Sequence, residues 1–129
     1  MDVRTHTAIS DRYVGTPERV DDGEAVVTLT ATDEMRADET GLVHGGFVFG
    51  AADYAGMLAV NEPTVVLAGA DVEFTAPAAV GDELRARGEV TNRTDRRVDV
   101  ACTVTVDGET IMQGTFDCAV PDRHVMSGE

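Results

Sequence analysis

The sequence predicts an α+β fold in which an antiparallel β-sheet wraps around one central α-helix. Three observations predict it. Residues 45–60, GGFVFGAADYAGMLAV, are apolar nearly all round, which marks a helix buried in a core rather than laid on a surface. From residue 64 onward the apolar residues alternate with period two, the period of a half-buried strand. Short turns rich in Gly and Asp separate these segments, so neighbouring strands pair as hairpins. Such a sheet has one apolar face, and a single helix is available to cover it.

Taken in order, residues 1–23 read as a lead-in with turns at Gly15-Thr16-Pro17 and Asp21-Asp22-Gly23. EAVVTLTATDEM, residues 24–35, is a strand rich in β-branched residues. MRADETG, residues 35–41, is a polar loop. The helix over 45–60 stops at Asn61-Glu62-Pro63, because proline disfavours helix for the residue before it. Strands follow at 64–77, 82–94, 96–108 and 109–120, with a turn at Gly81-Asp82 and a strong hairpin signal at Asp107-Gly108. PDRHVMSGE, residues 121–129, reads as a frayed tail. There is no repeat and no linker, so residues 1–129 are expected to form one domain. A single small sheet leaves strand edges open. A homo-oligomer is therefore expected, with a dimer as the minimal unit and a tetramer compatible with the same argument.

Composition excludes several functions. Twenty-four acids face ten bases, all arginine, for a net charge of −14 over 129 residues. That balance argues against nucleic-acid partners, which need a basic footprint, and against anionic membranes. An acidic surface without lysine resembles proteins of salt-loving cytoplasms, where concentrated ions screen self-repulsion. No run of about 18 apolar residues exists for a membrane span. No apolar run follows MDVRTHTAISDR at the N-terminus, so a cytoplasmic location without a signal peptide is expected. Cys102 and Cys118 sit in alternating apolar segments and read as core residues. His6, His44 and His124 are scattered, and no metal is expected.

The helix itself breaks two rules. It carries Gly45, Gly46, Gly50 and Gly56, and it places Asp53 among apolar residues. Each internal glycine costs about 1 kcal/mol relative to alanine, and an unpartnered carboxylate in apolar surroundings costs more. Such a carboxylate is a stronger base than usual. The helix start offers free amides at His44, Gly45 and Gly46, and glycine lets a ligand approach the backbone. Amide donors plus a base or a nucleophile are what thioester hydrolysis needs, and Asp53 could serve as either. Gly45 and Asp53 are eight residues apart, about 12 Å along a helix, so one helix cannot flank one carbonyl with both. Two antiparallel helices meeting across a dimer interface can. Asp53 can also be read as a structural carboxylate bonded to a partner's amide. His44 fits an orienting or capping role better than proton transfer. Phe49 and Tyr54 are assigned to the core rather than to an acyl pocket.

The stretch Asp38-Glu39-Thr40-Gly41-Leu42-Val43-His44-Gly45-Gly46, with Asp53 nine residues after the histidine, resembles the hotdog-fold thioesterases of the phenylacetic-acid-pathway type. Asp71-Val72-Glu73-Phe74-Thr75-Ala76-Pro77 and Val80-Gly81-Asp82-Glu83-Leu84 resemble the same family. The resemblance covers about residues 20–120. It implies a hotdog fold, an acyl-CoA substrate and a composite site across a dimer. Catalysis would rest on Asp53, His44, Gly45 and Gly46, with no metal and no cofactor beyond the coenzyme A of the substrate. Asp38 stands where many members carry an asparagine that holds the attacking water or the acyl group. Thr75 falls near a water-binding hydroxyl of the family. Coenzyme A carries phosphates, and Arg85, Arg87, Arg96 and Arg97 are the bases expected to meet them; solvated hairpin arginines are the alternative. An enoyl-CoA hydratase or dehydratase, and a non-catalytic acyl-CoA-binding protein, remain rival functions on the same fold.

Overall fold

A computed structural model describes residues 1–127. A helical turn α1 (Asp11–Val14) leads into β1 (Thr16–Asp21) and β2 (Glu24–Thr30). After a 3-10 turn (Asp33–Met35) comes the long helix α2 (Gly45–Val60), then β3 (Val66–Phe74), β4 (Glu83–Arg93), β5 (Arg97–Val106) and β6 (Glu109–Ala119). The six strands form one sheet in the order β1-β2-β4-β5-β6-β3, every neighbour antiparallel. The sheet wraps α2 as the sequence predicts, in a hotdog fold.

The period of two decides which side chains meet the helix. Leu84, Ala86 and Gly88 of β4, Val98, Val100, Cys102 and Val104 of β5, and Met112, Phe116 and Cys118 of β6 all point inward and are buried. Helix boundaries fall where the sequence sets them. Asn61 closes α2 in the left-handed conformation (φ 52°), and its N–H donates to the Met57 carbonyl at 2.8 Å. Asp107 and Gly108 both take positive φ, 50° and 82°, as a two-residue hairpin of the I′ kind requires.

The N-terminal segment differs from the expected lead-in. Thr16–Asp21 is an edge strand paired with β2. Its apolar alternation is missing because Val20 is its sole buried residue, and it carries Pro17, which an edge strand tolerates. Residues 2–14 line one flank of α2. The Asn61 side chain accepts from the Arg4 N–H and donates to the Asp2 carbonyl, both at 2.8 Å. His6 sits 6.4 Å from the Tyr54 ring, and Val14 lies beside Gly50. The strand expected at residues 24–35 ends at Thr30 and gives way to the 3-10 turn. Of the expected frayed tail, Asp122 pairs with Arg96, while residues 128–129 lie outside the described residues.

Candidate active site

Two short bridges, Arg36 with Val43 and Leu42 with Ala79, fix how the chain enters α2. The Val43 N–H donates to the Ala78 carbonyl at 2.8 Å, and the His44 N–H to the Met35 carbonyl at 2.9 Å. His44 is the N-cap residue in extended conformation, and its side chain makes no capping bond. The Phe47 N–H turns back to the His44 carbonyl at 3.0 Å. Among the described residues, the N–H groups of Gly45 and Gly46 have no hydrogen-bond partner. They are orphan donors at the positive end of a 16-residue helix. The exposed ring of Phe74, at the end of β3, lies over Gly45: a β-carbon there would stand 3.6 Å from the ring. A β-carbon on Gly46 would meet the imidazole of His44 at 3.0 Å, so glycine at 46 keeps the His44 ring close to the helix start.

Asp53 lies two turns further along α2. One oxygen of its carboxylate is buried and has no hydrogen-bond partner among the described residues. Burial raises its pKa to about 6, because desolvation disfavours the charged form. The same environment pushes the Cys102 and Cys118 thiols up to about 11 and about 12, by burial first and by the Asp53 charge second. Both cysteines are thus inert core residues. Gly46, Phe49, Gly50 and Asp53 form a stripe along α2 that is not fully buried, whereas residues 54–60 all are. The spacing of three and four residues places the four on one face. That face runs from the free amides to the orphan carboxylate.

The other expected residues are placed apart from this face or otherwise engaged. Asp38 is exposed and accepts from the Thr40 N–H at 2.9 Å and the Thr40 hydroxyl at 2.6 Å. Those bonds hold its carboxyl below the usual range, which makes it a poor base. The Thr75 hydroxyl donates to the Thr110 carbonyl at 2.9 Å. Arg85 and Arg87 alternate with the inward residues of β4 and so point away from α2. Arg85 pairs with Glu18 at 2.6 Å, and Arg87 pairs with Glu24. Arg96 meets Asp122 at 2.6 Å and Arg97 meets Asp117 at 2.9 Å, in and beside the β4–β5 turn. A depression of about 440 Å³ on the sheet is lined by Asp71, Asp99 and Asp117, a setting that repels phosphate.

One cation near the helix start was not singled out by sequence. Arg36 is exposed, bridges Val43, and has a loose pair with Asp33 at 3.6 Å. Its place in MRADETG, shortly before the His-Gly-Gly turn, was the available signal.

Residues 40–112 match the family model described as the thioesterase superfamily. Among solved structures, the uncharacterized protein PH1136 from Pyrococcus horikoshii is 47% identical with a TM-score of 0.95, covering 97% of this chain and 96% of that one. The E. coli PaaI protein from the phenylacetic acid degradation operon is 25% identical with a TM-score of 0.74, covering 80% of each chain. Among curated proteins, a methylthioribose-1-phosphate isomerase of Aquifex aeolicus is 45% identical over 116 residues, which is 90% of this chain and 25% of the isomerase. The chain thus spans a quarter of the length of that relative, and most of the isomerase lies outside the match.

Proposed function

The chain belongs to the thioesterase superfamily, and from that premise we propose that it is an acyl-CoA thioesterase with an active site built across a homodimer. One observation carries the proposal: among the described residues, unpartnered amides and a half-buried carboxylate with one buried, unpartnered oxygen share one incompletely covered face of α2. Eight residues, about 12 Å, separate them. A second α2, antiparallel across a twofold axis, would set the Asp53 of one copy opposite the Gly45 and Gly46 amides of the other.

The sheet supports the same arrangement. β3 is an end strand of nine residues that pairs, among the described residues, with β6 alone. Its free edge is a ready template for a second copy. Antiparallel β3–β3 pairing would bring the Val66 end of one strand beside the Phe74 end of the other, and with it the partner's helix start. Arg97 shares a row with Ala119 and Val66, but it alternates with the inward Val98 and Val100 and pairs with Asp117, so it points away from the helices as Arg85 and Arg87 do. Arg36 stands beside the helix start of its own subunit. It is the candidate for the coenzyme A phosphates.

In this reading the thioester carbonyl oxygen accepts from the Gly45 and Gly46 amides of one subunit. The amides stabilise the negative charge that develops as the carbonyl carbon becomes tetrahedral. Asp53 of the other subunit takes a proton from water, which attacks the carbonyl carbon; collapse expels the coenzyme A thiolate. His44 orients the mouth of the helix. The test is release of free thiol from a panel of acyl-CoAs by the purified protein. Hydrolysis of at least one acyl-CoA that Asp53→Asn abolishes supports the reading. Loss of enoyl absorbance without thiol release favours hydration, and ligand binding without turnover favours a sensor.

A further inference from the structure

Phe49 lies one turn from Gly45 and one turn from Asp53 on α2. Its ring is half-buried and meets Phe116 of β6 edge-on, with centroids 5.5 Å apart and planes at 62°. Phe116 is fixed in turn: it is 1% exposed, and a β-carbon on Gly56 would stand 2.9 Å from its ring. The rest of the space under α2 is closed. Met57, Leu58, Leu84 and Met112 are fully buried, and Gly88 of β4 touches the helix backbone. An acyl chain therefore has no room to pass between α2 and the sheet. It must run along the open face of the helix, where Phe49 is the bulkiest side chain.

The twofold arrangement makes the placement sharper. If positions 45 and 46 of one helix face position 53 of the other, position 49 faces 49 and 50 of its twin. Two Phe49 rings would then stand side by side between the two sites, one turn of about 5.4 Å from each carboxylate. We propose that Phe49 is the end wall of the acyl pocket and restricts the enzyme to short acyl thioesters. One helix turn accommodates roughly four extended carbons. This inference rests on the thioesterase reading above, and it assigns to Phe49 a specificity role in place of a purely core one.

The experiment measures kcat/KM for acyl-CoAs from two to twelve carbons. In parallel it measures the affinity of non-hydrolysable S-alkyl-CoA thioethers of the same lengths. Wild type is expected to favour butyryl-CoA over octanoyl-CoA by about tenfold or more. Phe49→Ala should raise octanoyl-CoA turnover and octyl-CoA affinity by a similar factor, and the milder Phe49→Leu should shift both in the same direction while preserving the core. Phe49→Trp should shorten the preferred chain. A wild-type preference for eight carbons or more, or a length profile unmoved in the Leu and Ala variants, would overturn the assignment. Absence of hydrolysis across the panel would instead refute the thioesterase reading, and the thioether affinities would still decide whether Phe49 sets chain length.

Discussion

A β-carbon placed on Gly88 of β4 would stand 2.7 Å from the carbonyl oxygen of Ala55 in α2. Strand and helix backbones therefore meet with no side chain between them. Gly56, whose α-carbon also faces Gly88, is itself closed in by a side chain: a β-carbon on it would stand 2.9 Å from the Phe116 ring. Together they set the depth at which α2 rides on the sheet, and hence the position of the face that carries Asp53. Gly88→Ala should destabilise the fold by about 1–3 kcal/mol, as overpacking does in a closed core. Denaturant unfolding would read this as a lower midpoint with an unchanged slope. A midpoint equal to wild type would mean that the helix can lift without penalty.

If Asp53 is the base, it should link activity and stability to pH in opposite directions. As a base with a pKa of about 6, it should give a kcat/KM that climbs as pH rises through 6 and then levels. Its folded pKa lies above the ordinary aspartate value of 3.8, so the folded protein binds the proton more tightly than the unfolded chain. Stability should be greatest below pH 4 as far as this group is concerned, and fall as pH rises from 4 to 6. Asp53→Asn should therefore lose most activity yet gain about 1–3 kcal/mol at pH 7, a gain absent at pH 4. Paired thermal melts at the two pH values check this. A variant equally destabilised at both would point to a structural carboxylate.

The Gly45 amide can be removed almost alone. Position 45 is the first residue of α2, where proline is well tolerated, and His44 already has the extended conformation that precedes proline. A β-carbon at 45 meets the Phe74 ring only at ordinary contact distance, 3.6 Å. Gly45→Pro should keep the fold while lowering kcat by about 10²–10³-fold, the usual effect of losing one oxyanion donor. Full activity in this variant would remove Gly45 from the site.

Salt should stabilise the protein. The ion pairs of Arg85, Arg87, Arg96 and Arg97 are all exposed and contribute at most about 1 kcal/mol each. Against them stands a net charge of −14, whose self-repulsion salt screens. The melting temperature should rise between 0.1 and 2 M KCl. A fall would show that attractive pairs outweigh the repulsion and would undercut the halophilic reading of the composition.

The parts of the molecule that obey a single period were legible from sequence. α2 begins at Gly45 and ends before Asn61 as read, and β4, β5 and β6 lie within a residue or two of their expected spans. Residue 53 could be flagged because a carboxylate in an apolar helix conflicts with its neighbours. β1 was missed because an edge strand with one buried residue has no alternation to read. The arginines were harder. Arg85 and Arg87 alternate with buried residues, so the sequence already implied an outward direction, but their carboxylate partners come from distant positions such as Glu18 and Glu24. Asp38 was equally opaque: its use depends on a local turn in which Thr40 takes up the carboxylate.

The composite site is tested most directly by mixing its two halves. Asp53→Asn and Gly45→Pro chains, each inactive as a homodimer, can be co-expressed with different tags and the heterodimer isolated. A site shared between subunits leaves one of the two centres intact in that heterodimer, and thiol release from acyl-CoA should return to about half the wild-type rate. If amides and carboxylate served a centre within one chain, both centres would carry a lesion. The heterodimer would then be as inactive as its parents, and the shared site would be contradicted.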